Sequence, residues 1–289
     1  MSKASVVMPD REAFPLSASS SGEARPEGGS WLSELWRFRE LLYFLAWRDV
    51  KVRYKQAAFG AAWAIIQPLI TMIIFTFFFS RMGKIPSGSV PYPLFCYSAL
   101  VPWTYFTGTL SQAGNSLVGN ASLITKIYFP RILLPAASAL GGLLDFCVSS
   151  AFLVLMMVYY RVAPSWTLIF WPVAVMGMVI ISLGISMLLA AMNVRYRDVK
   201  HVIPFMIQLG LFVTPVLYPA DAGFLPSGLK RVLALNPLSG VMEGFRASLF
   251  PHQGVNGRLL GISITIGLLL FSLGALYFRK AERTFADII

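Results

Sequence analysis

No charged residue occurs between Lys84 and Lys126. A stretch of that length without charge cannot cover itself with a water-facing surface, and it is flanked by others of the same kind. Six apolar stretches follow one another: Ala61–Ser80, a second within Pro93–Val118, Ile132–Tyr160, a fourth between Arg161 and Arg195, a fifth between His201 and Asp221, and Leu259–Phe278. Each reaches the length of about 18 residues at which an apolar run reads as a membrane-spanning helix. None shows the ten-residue alternation of a barrel strand, so helices are expected. The fold predicted is an all-α polytopic membrane protein with six transmembrane helices.

Composition agrees with that reading. Hydrophobic residues make up 56% of the 289 residues and charged ones only 13%, about half the charged share of an average soluble domain. The formal charge of +11 suits a nucleic-acid binder in a polar chain, but here it marks one side of a bilayer. No nucleic-acid partner is expected, and membrane lipids are. Placing the N-terminus inside puts twelve span-flanking cations there: Arg48, Lys51, Arg53, Lys55, Lys126, Arg131, Arg195, Arg197, Lys200, Arg279, Lys280 and Arg283. The seven outside are Arg81, Lys84, Arg161, Lys230, Arg231, Arg246 and Arg258. Both termini are therefore expected in the cytoplasm.

Residues 1–30, rich in Ser, Gly, Pro and Glu, read as a disordered cytoplasmic tail without a signal-peptide pattern. Residues 31–58 mix Leu41, Leu42 and Leu45 with Arg48, Asp49, Lys51, Arg53 and Lys55, and carry Trp36, Tyr43, Phe44 and Trp47. This is the pattern of an amphipathic helix lying in a membrane interface, or of a docking face for a cytosolic partner. Residues 221–257 are too apolar for a hydrated loop. Their helical pattern breaks at Asn236-Pro237, which predicts two short helices. These either re-enter the outer leaflet, where protein must satisfy the backbone, or lie flat on its surface. Residues 118–131 read as a short amphipathic cytoplasmic helix stopped by Pro130. Tyr128 and Phe129 would be anchors and Lys126 and Arg131 a polar rim for a socket-type contact, if the segment is more than a plain loop helix.

Chemistry-bearing clusters are sparse. No phosphate-binding G-x-x-x-x-G-K-[ST], no G-x-S-x-G and no H-E-x-x-H occurs. The histidines, His201 and His252, lie at expected membrane boundaries, and Cys96 and Cys147 lie in apolar runs, so neither a metal site nor a disulfide framework is expected. Asp145 is the one acid well inside a predicted span. It is either a proton-relay group or the partner of a neighbouring helix. Glu243 and Arg246 are spaced i,i+3 for a salt bridge. The aromatics Trp63, Tyr92, Phe95, Tyr97, Trp103, Tyr105, Phe106, Phe205, Phe212 and Tyr218 suit interfacial belts and packing, or a sugar path, since pyranose C–H faces pack on rings.

Five segments together resemble the membrane subunit of type-2 ABC exporters that move polysaccharides, the O-antigen, capsule and teichoic-acid export permeases. They are L-A-W-R-D-V-K-V-R-Y-K-Q (45–56), G-A-A-W-A-I-I-Q-P-L (60–69), N-A-S-L-I-T-K-I-Y-F-P-R-I-L-L-P (120–135), N-V-R-Y-R-D-V (193–199) and N-P-L-S-G-V-M-E-G-F-R (236–246). The last is most similar to the O-antigen branch, and the likeness runs from about Trp31 to the C-terminus. It implies a homodimer in the bacterial inner membrane, paired with two copies of a nucleotide-binding ATPase and moving a lipid-linked polysaccharide between protomers. ATP and Mg would sit on the ATPase, with no cofactor on this chain and no enzymatic activity of its own. ATPase contacts would fall on Arg48, Asp49, Arg53, Lys126, Tyr128, Phe129 and Arg131. Trp63, Gln67, Phe75, Phe212 and Tyr218 would line the translocation path. Asn236, Pro237, Glu243 and Arg246 would form a re-entrant outer gate. Two rivals are a type-2 ABC permease for a drug or lipid and a proton-coupled transporter using Asp145.

Overall fold

Prolines and one asparagine decide where the helices begin. In a computed structural model, residues 36–55, 60–83, 90–127, 129–196, 198–220, 223, 226–250, 254–282 and 285 are described. The predicted tail, residues 1–30, lies outside them, as do Tyr128 and the cations Lys84, Arg197 and Arg283. Among the described residues every regular element is helical. The helices are α1 (Arg39–Lys55), α2 (Trp63–Phe75), α3 (Tyr92–Gly119), α4 (Ala121–Lys126), α5 (Leu133–Tyr159), α6 (Trp171–Arg195), α7 (Val199–Val213), α8 (Ser227–Leu235), α9 (Pro237–Leu249) and α10 (Gly257–Glu282). A π-helical stretch, Thr76–Gly83, continues α2, and a short 3₁₀ turn, Trp166–Phe170, leads into α6. Helices α3, α6 and α9 each carry proline in the first turn, where its missing N–H would be unsatisfied anyway. Asn236 caps α9 by accepting the Leu238 N–H at 3.0 Å. The predicted break at Asn236-Pro237 is therefore present, and it is a cap.

Among the described residues, four helical segments are long and apolar enough to cross a membrane: Gly60–Phe79, Leu133–Tyr159, Trp166–Arg195 and Gly257–Glu282. The other two expected spans depart from that pattern for different reasons. Helix α3 has 28 residues, about 42 Å of helix, but Tyr, Ser, Thr, Asn and Gln dilute its hydropathy. It is buried along most of its length, packed by α5 and α6, so lipid does not dictate its surface. Helix α7 has only 15 residues, about 22 Å, and the chain then loses helical form through residues 214–220.

Helices α6 and α10 run parallel and pack closely because both carry glycine at the seam. A Cβ at Gly274 would lie 2.2 Å from the Gly184 carbonyl oxygen, and one at Gly184 would lie 2.6 Å from Phe271 Cα. Small residues let backbones approach where lipid supplies no hydrophobic drive between helices. Helix α9 fits against both. Its Gly240 lies against Leu259, and its N–H donates to Ser263 Oγ at 3.0 Å. An aromatic chain ties the bundle across four helices: Tyr105, Phe146, Trp171 and Phe245, with successive ring centroids 5.9 Å apart. A second core, built on Leu45, Leu117, Phe129, Leu133, Phe278 and Phe285, closes the other end.

Although α5 and α10 also keep exposed apolar residues such as Leu155 and Leu269, few residues of these cores come from helices α2 and α7. Ile70, Ile73, Ile74, Phe77 and Phe78 are exposed along one, and Val202, Phe205, Met206, Leu209, Phe212 and Val213 along the other. Both sets follow helical spacing, so each helix presents a continuous apolar stripe.

Candidate functional site

Three polar constellations interrupt this apolar body. The first joins α1 to the junction of α3 and α4. Arg48 donates to Asp49 at 2.8 Å and to Asn120 Oδ1 at 2.9 Å. Asn120 in turn bonds the Ser116 carbonyl at 2.8 Å, and Ser138 Oγ reaches Asp49 at 3.5 Å. Below it, α1 seats Leu45 and Val50 against α5, close to Gly141. Displacing α1 must therefore strain the start of α4, whose last residue, Lys126, stands exposed.

Two of the expected surface contacts are placed otherwise. Phe129 is buried in the second core and cannot serve as an external anchor. It precedes Pro130 and shares that core with Ile132 and Leu133. Arg131 is committed to the C-terminal end of α10: its backbone N–H donates to Glu282 Oε1 at 2.9 Å, its guanidinium to the Glu282 carbonyl at 2.7 Å, and it lies over the Phe285 ring. The partners Glu282 and Phe285 lie some 150 positions away along the chain, so no local spacing could announce them. Arg48 and Asp49 meet Asn120 just before α4, whereas Arg53 bonds Asp145 farther along α5.

The second constellation surrounds Asp145. The acid inside α5 is not isolated: Arg53 and the Tyr54 hydroxyl both bond its carboxylate, and Arg53 also bonds Gln112 on α3. Pairing lowers the cost of holding a carboxylate at this depth. Beside the pair is a cavity of about 290 Å³, bordered by Trp63 and Gln67 of α2. These two predicted path residues therefore meet Arg53, a predicted ATPase contact, at one place. Phe75 instead stacks on Phe79, with centroids 5.7 Å apart. Phe212 stands on the exposed stripe of α7, and the Tyr218 hydroxyl donates to its carbonyl at 2.8 Å.

The third constellation holds residues 214–220, where α7 has ended. Irregular backbone at membrane depth persists only if protein satisfies it, and here side chains do so almost residue by residue. Asn236 Nδ2 donates to Thr214 Oγ1 at 3.1 Å, and the Tyr92 hydroxyl to the Leu217 carbonyl at 3.0 Å. Arg246 donates to the carbonyls of Pro215 at 2.8 Å, Tyr218 at 3.5 Å and Val216. Its guanidinium carbon lies 3.8 Å from the centre of the Phe95 ring, a cation–π contact. Glu243 completes the set, accepting from Arg246 at 3.4 Å and from the Ala220 N–H at 2.8 Å. Asn236, Glu243 and Arg246 thus all bond residues 214–220, with Pro237 starting the helix that carries the last two. Tyr92 and Phe95 were not expected there; the signal available was Thr214-Pro215 and Tyr218-Pro219, which mark a helix end needing outside partners.

Among the described residues no three His, Cys, Asp or Glu side chains group as a metal would require. The arrangement is a helical body with polar clusters at both ends.

Comparison with known proteins fits this geometry. The family model described as ABC-2 type transporter matches residues 40–250. An O-antigen export system permease protein RfbA of Myxococcus xanthus is 28% identical over 257 residues, covering 89% of this chain and 98% of the relative. A protein of the same name from Klebsiella pneumoniae is 29% identical over 251 residues, covering 86% of this chain and 95% of that one. The polysialic acid transport protein KpsM of Escherichia coli is 20% identical over 242 residues, covering 81% of this chain and 91% of the relative.

Proposed function

Because this chain belongs to the ABC-2 type transporter family, we propose that it is the membrane-spanning permease of an ATP-driven exporter of a lipid-linked polysaccharide, of the O-antigen type. The observation that carries this reading is end-to-end similarity to relatives named as O-antigen export permeases. The membrane is the bacterial inner membrane, crossed six times by α2, α3, α5, α6, α7 and α10. Helix α1 lies at the inner interface with Trp36, Tyr43, Phe44 and Trp47 exposed toward headgroups. The pair α8–α9 re-enters from the outer side and supports residues 214–220. Both termini are cytoplasmic, so the cation-rich end of the bundle faces inward.

Two protomers meet along the apolar stripes of α2 and α7, and the glycan passes between them. Energy comes from two ATPase subunits that bind ATP and Mg and seat against α1 and α4. Their closure moves Lys126 and the α1 face, and Arg48–Asn120 passes that displacement to the end of α3. Arg53–Asp145 ties α1 to α5, so α1, α3 and α5 shift as one body while the sparsely packed α2 and α7 part. At the outer end Arg246 and Glu243 make α9 follow α7, which opens the gate around Asn236 and Pro237.

The test is reconstitution in vesicles with a co-purified ATPase. The expected result is ATP-dependent movement of a lipid-linked glycan and no ATP hydrolysis by the permease alone. Transport of a drug or of lipid without glycan would replace this reading with another member activity of the same family. Transport that follows a proton gradient and ignores ATP would replace it with a proton-coupled one.

A further inference from the structure

Helix α5 begins without a cap of its own. Its first turn, L-L-P-A, contains no acid, and Ile132 just before it has no side-chain acceptor to offer. The turn leading in closes through the Leu133 N–H and the Pro130 carbonyl, 3.1 Å apart. The Arg131 N–H stands before the helix's own bonds begin, among the donors that need an outside acceptor. Glu282, the last residue of α10, supplies one: its Oε1 accepts the Arg131 N–H at 2.9 Å. A carboxylate is also the group that a helix N-terminus favours electrostatically.

The exchange runs both ways. The last carbonyls of a helix lack partners within it, and a cation there is favourable. The Arg131 guanidinium donates to the Glu282 carbonyl at 2.7 Å. The start of α5 and the end of α10 therefore cap each other, each through one main-chain and one side-chain group. Phe285 closes the joint. It is only 2% exposed, its ring centre lies 5.8 Å from the Arg131 guanidinium carbon, and it meets Phe278 edge-on at 5.6 Å.

The position of this joint gives it a mechanical consequence. Only residues 127–130 separate Arg131 from Lys126, where α4 ends. The backbone is already extended at Ile127, so bond rotations in this connection would absorb a displacement of α4 unless something held its far side. Ile124 of α4, Phe129 and Phe285 belong to one buried core, and the Arg131–Glu282 contact ties that core to α10. Near its other end α10 meets α9 with no room for a side chain: a Cβ at Gly240 would fall 2.3 Å from the Leu259 carbonyl oxygen. Helix α9 carries Glu243 and Arg246, which hold residues 214–220. A helix of 26 residues, about 39 Å long, thus connects the neighbourhood of α4 to that clamp.

We propose that Glu282 and Phe285 form a coupling latch, positioning residues that act through Arg131 to pass movement of α4 along α10 to α9. The inference rests on the export reading above and adds to it a second route beside Arg48–Asn120. Without the latch the ATPase still docks on α4 and still hydrolyses ATP, but the movement is lost in the connection between α4 and α5.

The experiment uses the full-length permease with its ATPase subunits in vesicles and measures glycan exported per ATP hydrolysed. Glu282→Ala should lower this ratio about fivefold, the lower end of what an allosteric coupling carries, while hydrolysis continues. Glu282→Gln keeps an acceptor for the Arg131 N–H and should retain most of the ratio. Arg131→Gln should lower it too, and combining it with Glu282→Ala should be no worse than Glu282→Ala alone, since both interrupt one contact. Phe285→Leu keeps an apolar side chain in the core and removes the ring beside Arg131. Its smaller drop in the ratio carries the test if Glu282→Ala does not fold. A wild-type ratio in whichever of these two variants folds overturns the proposal. So does a parallel fall of hydrolysis and export, because the contact then serves folding or docking and not transmission. Export by wild type with an unchanged ratio in the variants removes the latch and leaves the export reading standing, whereas no ATP-driven glycan export by wild type removes both.

Discussion

Arg53 and Arg246 are both drawn into the protein, yet their surroundings differ in kind. Arg246 is fully buried, and its partners are mainly backbone carbonyls of a segment that has lost helical form. Arg53 keeps about a quarter of its side chain open, and its partners are the side chains of Asp145 and Gln112 beside a cavity. A sealed arginine that replaces missing backbone hydrogen bonds holds one conformation. An open one paired across a cavity leaves room for something else. The end that holds residues 214–220 is thus built as a clamp, and the end held by α1 as an ion pair beside a cavity.

The sharpest way to break this contrast is Arg246→Leu. It leaves three carbonyls and Glu243 without their donor, and breaking a buried pair in this way costs about 3–5 kcal/mol. Thermal unfolding in detergent should show the largest loss of any single change, with Arg246→Lys recovering only part. A variant as stable as wild type would mean that residues 214–220 hold themselves. Gly184→Leu tests the packing that supports the clamp from the side. Its Cβ would meet Phe271 backbone at 2.6 Å, and overpacking of this kind costs about 1–3 kcal/mol, read in the same assay.

Around Arg53 the expected effects are smaller and coupled. Arg53→Gln and Asp145→Asn each leave one charge without its partner in a site that is partly open, and each should cost about 1–2 kcal/mol. The double variant should be less destabilised than the sum of the two, because removing both members leaves no orphan. Strict additivity in that cycle would show that the pair is not a unit. Least of all, Asn236→Ala removes one helix cap and the link to Thr214, for about 1 kcal/mol. It should also slow export more than it lowers stability, since it loosens α8–α9 from the end of α7.

Much of this was readable in the sequence where the physics is local. The apolar runs over α2, α5, α6 and α10 follow directly from hydropathy, and the Asn236-Pro237 break follows from backbone chemistry. The i,i+3 spacing announced Glu243–Arg246, but not the four other contacts that make Arg246 a clamp, because Phe95 and residues 215–218 are brought in by tertiary packing. Asp145 was visible as an anomaly, whereas its partner lies 92 positions away. Helix α3 illustrates the opposite failure. Its charge-free stretch reads as an ordinary span, and only the packed structure shows that its polar residues share one face and border cavities. Phe129 was misplaced for the same reason: an aromatic beside a proline in a short loop gives no sign of which way the chain turns.

The central claim is that the glycan moves along this chain, between the exposed faces of α2 and α7. Site-specific photo-crosslinking during turnover tests it most directly. A photoreactive phenylalanine analogue placed at Phe212 is compared with one at Leu155, which is exposed on α5 and belongs to neither stripe, in vesicles containing the ATPase and labelled lipid-linked glycan. The account predicts glycan adducts at 212 that require ATP, and none above background at 155. Export that proceeds with no adduct at 212, or with equal labelling at both positions, would contradict it.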